Sequence, residues 1–393
     1  MTLHSVRSAP LEEIREAVAG VTARFDRAYF MRQARSGGTI DEMWRDMSDK
    51  DLLAVGVPEE LGGVGGGVAG MATVMEEMSA AGVPPILYVL TAFSRESLIR
   101  HGSPEQIDKH VRPTLSGERK ICFGVTEPEA GTNSFAMRTR AKRTSGGGYV
   151  INGQKAFISA ADEADHILLI ARTAPPGERV GRDRGFSLFI VDTATPGIEL
   201  ARMDIDWYAP ERQFEVFLSD VEVSAAGLIG EEGRGFRYLF DSLNGERILI
   251  AAWAAGLGRY ALAKATAYAK ERSPFGSPIG GYQAVQHPLA RAYAHVEAAR
   301  LVIYAAAAEY DAGEEAGPKA NIAKLLASEA AGEALDVAVQ VHGGHAFVAE
   351  TDVSTLWPMV RAMRTGPINN ESVLNYIGQH VLGLPRSFEV IDA

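Results

Sequence analysis

The chain has 393 residues, a formal net charge of −11, and 46% hydrophobic against 23% charged residues, the balance of a globular protein with two or three subdomains and a large core. Its acidity argues against nucleic acid as a partner, since phosphate binding wants a basic footprint. A single cysteine, Cys122, excludes a disulfide framework and a cysteine-based zinc site and suits a reducing cytoplasm; no apolar run approaches the roughly 20 residues that span a bilayer, so no membrane attachment is expected.

The N-terminus, MTLHSVRSAPLEEIREAV, lacks a signal-peptide core and reads as a short tail entering a polar helix. Helical patterning continues from about 11 to 115, with Ser103-Pro104-Glu105 as a start signal. Inside it, Gly65-x-Gly67-x-x-Gly70 matches the dinucleotide fingerprint in form. It lacks the acidic residue about 20 positions on that the motif needs, and a turn is expected instead. From about 121 to 229 the texture changes to short β-type runs at 121–125, 149–151, 166–171, 186–191 and 214–218, separated by Gly- or Pro-rich breaks. Asn152-Gly153 reads as a hairpin turn, with Phe157 and Ser159 on one face of the outgoing strand. The stretch 175–185 reads as an exposed loop. Helical periodicity returns from about 235 to 382, and over 319–341 the residues Ile322, Leu325, Leu326, Leu335, Ala338 and Val339 form one apolar face. No tandem repeat is present. A compact β block inside an otherwise helical chain narrows the fold, with domains expected at 1–120, 121–230 and 231–393.

The nine histidines form no HExxH and no cluster with ligand spacing, so no metal is expected. His342 and His345 flank Gly343-Gly344 and line a turn. A GxSxG elbow is also absent, which removes support for serine hydrolysis. The informative stretch is CFGVTEPEAGTNS at 122–134, which passes from a strand into a loop holding Thr126, Glu127, Gly131, Thr132 and Ser134. Such a loop offers hydroxyls and backbone N–H groups to a heterocycle or phosphate, and equally makes a hydrogen-bonded strand connection.

TEPEAGTNS (126–134) followed by INGQKAFIS (151–159) resembles the paired signatures of the acyl-CoA dehydrogenase family. DLLAVGVPEELGG (51–63), ERSPFG (271–276) with Gln283, and QVHGG (340–344) are similar to further segments of that family, in the same order along nearly the whole chain. The resemblance implies a mainly α fold: an N-terminal helical domain, a middle β-barrel-like domain and a C-terminal four-helix bundle, with FAD between them, in a homotetramer or homodimer. Matched by position, it implies that Val125, Thr126 and Thr132 meet the cofactor and that Ser159 hydrogen-bonds near flavin N5. Phe157 replaces the usual tryptophan beside the ring. Arg272, Phe275 and Gln283 would reach the FAD of a neighbouring subunit, with Gln340, Gly343 and Gly344 completing that site. Ser134, Arg247 and Asn370 fall at the substrate. The implied reaction takes acyl-CoA, or an acyl-carrier-protein thioester, to the trans-2-enoyl product, as in fatty acid metabolism. An electron-transfer flavoprotein is the implied acceptor.

That chemistry needs a desolvated carboxylate to take the α-proton. Many members of the family carry it in a YEGT-like segment near the C-terminus. Here that segment is PINNES (367–372), the base position falls on Asn370, and Glu371 follows one residue later. Isovaleryl-type and some long-chain members place the glutamate on the first long helix after the β domain, where this chain reads LNGERI (243–248). Phe236, Leu239, Phe240 and Leu243 follow helical spacing, and Glu246 continues their stripe. A carboxylate on an apolar stripe is uncommon unless paired or functional. Glu371, in the first turn of the last helix, merely suits the helix dipole. Glu246 is therefore the expected base and Glu371 the runner-up. Two other functions are compatible with such a fold: a flavin monooxygenase or oxidase, and a degenerate binder of acyl thioesters without catalysis.

Overall fold

The computed structural model describes residues 9–175, 181 and 184–385; most of the loop expected at 175–185 lies outside them. Helices come first: α1 (Ala9–Thr22), α2 (Arg27–Ser36), α3 (Asp41–Asp49), α4 (Gly67–Ala80), α5 (Ile86–His101), and the short α6 (Pro104–Gln106) and α7 (Arg112–Leu115). Strands follow: β1 (Ile121–Gly124), β2 (Arg140–Arg143), β3 (Tyr149–Ser159), β4 (His166–Arg172), β5 (Phe186–Asp192), β6 (Ile198–Met203), β7 (Gln213–Val223) and β8 (Leu228–Ile229). The chain closes with α8 (Gly235–Glu271), α9 (Gln283–Asp311), α10 (Gly317–His342), α11 (Trp357–Ala362) and α12 (Asn370–Tyr376). The helix–sheet–helix order is the one the sequence texture implies. Ser103 behaves as expected: its Oγ accepts from the Gln106 N–H at 3.2 Å while the Gln106 side chain accepts from the Ser103 N–H at 2.9 Å, a reciprocal cap.

Two compact units divide the contacts. Among the described residues, one combines those up to Met31, Gly66–Pro84 and those from Asn244 on; the other holds Arg32–Gly65 and those of Pro85–Leu243. The second unit carries an eight-stranded sheet in the order β6-β7-β3-β2-β4-β5-β8, with β1 joining β4 in parallel. β4 is buried on both sides, which explains its unbroken apolar run. Ile167, Leu169 and Ala171 belong to a core with Ile151, Phe189 and Val216. Leu168 and Ile170 belong to a second core with Phe93, Leu98 and Phe236. Each of these leucine, isoleucine, valine and phenylalanine side chains contributes about 1.5–3 kcal/mol by leaving water.

The expected hairpin at Asn152-Gly153 is not formed; β3 runs straight through it, with a bulge opposite β7 between Ile151 and Gly153. The Asn152 side chain bonds the Asp220 carboxylate at 3.0 Å and accepts from the Asp220 N–H at 2.9 Å. A Cβ on Gly153 would stand 2.6 Å from the Thr139 Cα, so this glycine serves a close strand approach rather than a turn.

In the other unit the apolar face expected on α10 holds in part: Leu335 and Ala338 are buried, and Ile322, Leu325 and Val339 are half-buried. Leu326 is exposed, whereas Ala320, Ala323, Ala327, Ala331, Ala334 and Ala338 are fully buried. On α9, Ala292, Val296, Ala299, Ile303 and Ala306 repeat at helical spacing and are buried. Small side chains let helix backbones approach closely, so a run of alanines, with Leu335 among them, marks the packed face. The helix long and apolar enough to cross a membrane, Gly235–Glu271, is mostly buried.

Candidate active site

In the sheet unit, β1 runs out at Gly124 into Val125 and Thr126, both half-buried. The loop is held by a buried ion pair. Lys155 Nζ donates to the Val125 carbonyl and to Glu127 Oε1, each at 3.0 Å. Glu127 also accepts from the Arg138 N–H at 2.5 Å and the Thr139 N–H at 3.0 Å. Burial pushes Lys155 down to about 8 against the pull of Glu127. Burial by itself would raise Glu127, but Lys155 and the two backbone donors hold it below the ordinary carboxylate value. Glu127 is thus a fastening of the loop to β3, not a group offered to a ligand. Gly131 and Thr132 are exposed, and Ser134 is half-buried at the head of a short turn.

β3 ends at two further expected residues. Phe157 is 59% exposed and its backbone is left-handed (φ 58°), at a bulge between Lys155 and Ile158. A bulky residue in that region is strained, and such strain gathers at functional sites. Ser159 is half-buried and pairs with Gln213: the Gln213 Nε2 donates to Ser159 Oγ at 2.6 Å, with Gln213 Oε1 3.0 Å from the same oxygen. Sequence reasoning missed Gln213, whose role depends on a contact 54 positions away.

In the helical unit, Glu246 is buried, with no hydrogen bond or ion pair to its carboxylate among the described residues. Burial pushes it up to about 7, and only the neighbouring Arg247 opposes this. Arg247 donates to the Asn244 side chain at 2.7 Å, and burial lowers its own pKa against the attraction of Glu246. Along the stripe leading to Glu246, Phe236 and Leu239 are buried but Phe240 is 45% exposed, so the stripe is narrower than its spacing implied.

The C-terminal alternative has a different environment. Asn369 caps α12, accepting from the Ser372 N–H at 2.7 Å. Asn370 is buried, accepting from Lys324 Nζ at 2.7 Å and bonding Ser328 Oγ; Lys324 also holds the Ile368 carbonyl at 2.6 Å. Glu371 is exposed in the first turn. Arg272, Phe275 and Gln283 are exposed around the α8–α9 connection, Phe275 at 83%. Gln340 is exposed near the end of α10, which Gly343 (φ 57°) terminates, and Gly344 follows. His342 is buried and bonded to the Ala338 carbonyl, and no metal-binding cluster occurs among the described residues.

The glycine-rich fingerprint is occupied from within. The N–H groups of Val68 and Ala69, opening α4, donate to the Asp311 carboxylate at 2.7 and 3.0 Å. A helix start already neutralised by an aspartate does not receive a pyrophosphate, and no strand precedes it among the described residues.

Three family models for the acyl-CoA dehydrogenase match the chain: the N-terminal domain over residues 8–118, the middle domain over 122–220 and the C-terminal domain over 233–382. The chain is 38% identical to acyl-CoA dehydrogenase FadE12 of Mycobacterium tuberculosis over 386 residues, 98% of each protein. Among solved structures, it resembles butyryl-CoA dehydrogenase of Megasphaera elsdenii with a TM-score of 0.90 and 28% identity, covering 95% of this chain and 98% of that one. It resembles PigA in complex with FAD and proline with a TM-score of 0.90 and 25% identity, covering 98% and 100%. With these matches spanning all three of its segments, the chain belongs to the acyl-CoA dehydrogenase family of oxidoreductases.

Proposed function

We propose that this enzyme dehydrogenates an acyl thioester, acyl-CoA in the usual case, across its α,β-bond, with Glu246 as the base. The observation that carries this reading is a buried carboxylate with no hydrogen bond or ion pair among the described residues; burial pushes it up to about 7 against the attraction of Arg247. A group poised there is partly ionised at neutral pH and, being desolvated, is a stronger base than a free glutamate. Glu246 would receive the α-proton on a carboxylate oxygen, and Arg247, kept on Asn244, would keep its charge beside it. Glu371 lacks the dry environment, and Asn370 is an amide engaged by Lys324 and Ser328.

Family members depend on FAD, which when bound supplies the acceptor for the hydrogen leaving the β-carbon. The residues present fit such a group. Phe157 offers an exposed flat ring beside the Ser159 hydroxyl, and Arg272 an exposed cation. Around Gly131, Gly343 and Gly344 the space where a Cβ would stand is open among the described residues, which admits close approach of a phosphate chain. Val125, Thr126, Thr132, Phe157 and Ser159 are accordingly proposed at the flavin of their own subunit. Arg272, Phe275, Gln283, Gln340, Gly343 and Gly344 are proposed at that of a neighbour, and Ser134, Arg247 and Asn370 at the substrate. The same reading takes 1–120, 121–230 and 231–393 as domains of a cytoplasmic homotetramer or homodimer reoxidised by an electron-transfer flavoprotein.

The test is anaerobic bleaching of the flavin against acyl-CoA thioesters of several lengths. Glu246→Gln is expected to keep its FAD and lose bleaching, while Glu371→Gln retains it. Bleaching by Glu246→Gln at the native rate would overturn the assignment. The alternative is a flavin monooxygenase or oxidase of the same fold, since a fold does not fix its reaction. Fast reoxidation of the reduced flavin in air would favour it.

A further inference from the structure

Ser159 ends β3 and is the Cα partner of Gln213, which opens β7. Gln213 is only 5% exposed, and its amide N–H reaches Ser159 Oγ at 2.6 Å. Its place is fixed from both sides. The Ala160 N–H donates to the Arg212 carbonyl at 2.7 Å, and the Arg212 guanidinium is held by Asp162 and by the Gly37 carbonyl at 2.9 Å. A serine hydroxyl has one proton and two lone pairs. With the buried amide donating into one lone pair, the hydroxyl oxygen is filled from the protein side. Its proton is then free to leave Gln213 Oε1, 3.0 Å away, for an acceptor on the open side.

We infer that Gln213 is a positioning residue that sets Ser159 as a hydrogen-bond donor to a ring nitrogen of the flavin. The inference rests on the proposed placement of FAD against Ser159. Gln213 itself touches no cofactor; it decides which way the Ser159 proton points. An ionised carboxylate at 213, equal in size but able only to accept, would draw that proton inward and reverse the hydroxyl.

The experiment uses the FAD-loaded enzyme and reads three quantities other than turnover: the visible flavin spectrum, the FAD dissociation constant and the flavin reduction potential. The variants are Ser159→Ala, Gln213→Glu, Gln213→Met and the double variant Ser159→Ala/Gln213→Met; methionine keeps the volume without a donor and covers the case in which the glutamate fails to fold. Each single variant is expected to weaken FAD binding about fivefold, the worth of one neutral hydrogen bond, and to move the potential to more negative values. The double variant is expected to match Ser159→Ala, because both changes remove the same bond. A Ser159→Ala shift with native behaviour in both Gln213 variants overturns the role of Gln213 and leaves the flavin placement standing. Effects that add in the double variant also overturn it. No change in Ser159→Ala overturns the placement and the inference together.

Discussion

Replacing Glu246 with glutamine should change stability in a way that depends on pH. Burial raises the carboxyl from 4.5 to about 7, so between those values the folded state holds a proton that the unfolded chain releases. The folded state therefore loses stability as pH rises through this window, and the full cost is present above 7. At 1.36 kcal/mol per unit the cost is about 3 kcal/mol, without discount for screening because the side chain is buried. Glutamine of the same shape carries no such cost, and its unpaired amide contributes equally at every pH. The apoprotein variant should thus match the wild type at pH 4 and exceed it by about 3 kcal/mol at pH 8. Urea unfolding of the two apoproteins across that range measures the difference. A stability gap that does not widen with pH would refute the buried, unpaired carboxylate, and with it the case for Glu246 as base.

Removing the charge at Lys155 leaves the buried Glu127 without a counter-ion, so Lys155→Met should cost about 3–5 kcal/mol in urea unfolding, whereas loss of an exposed pair costs under about 1 kcal/mol; a loss in that lower range would show that the loop is not held by this pair. Asp311→Ala strips the carboxylate from the first N–H groups of α4 and should cost about 1–2 kcal/mol, as helix caps do; unchanged stability would mean that water replaces it. His110 and His166 meet edge to face with ring centres 4.5 Å apart, and burial, then the His166 charge, push His110 down from 6.5 to about 4. The neutral ring is the form the fold accepts, so stability should fall as pH drops from about 6.5 toward 4. His110→Gln should flatten that limb of a melting-temperature profile, and an unchanged limb would count against the pair as its source.

What could be read from the chain were signals confined to one element. The apolar runs of β4 and β5 announce buried strands, the Ser103 cap announces a helix start, and the spacing from Phe236 to Glu246 already sets a carboxylate against the core. β2 and β6 escaped notice for the converse reason. β2 is RAKR, without an apolar pattern, and β6 is IELARM, apolar in part but largely exposed; both are strands because neighbouring strands satisfy their backbone groups. Asn152-Gly153 carried the residues of a turn, and a close approach to Thr139 used them otherwise. Tertiary structure also decided the fate of the polar residues. Asn370 is silenced by Lys324, Ser159 is oriented by Gln213, and Asp311 fills the helix end that the glycine motif left open. A local period tells which side of an element faces inward; which partner waits there depends on residues 46, 54 and 243 positions away, and only the folded chain brings them together.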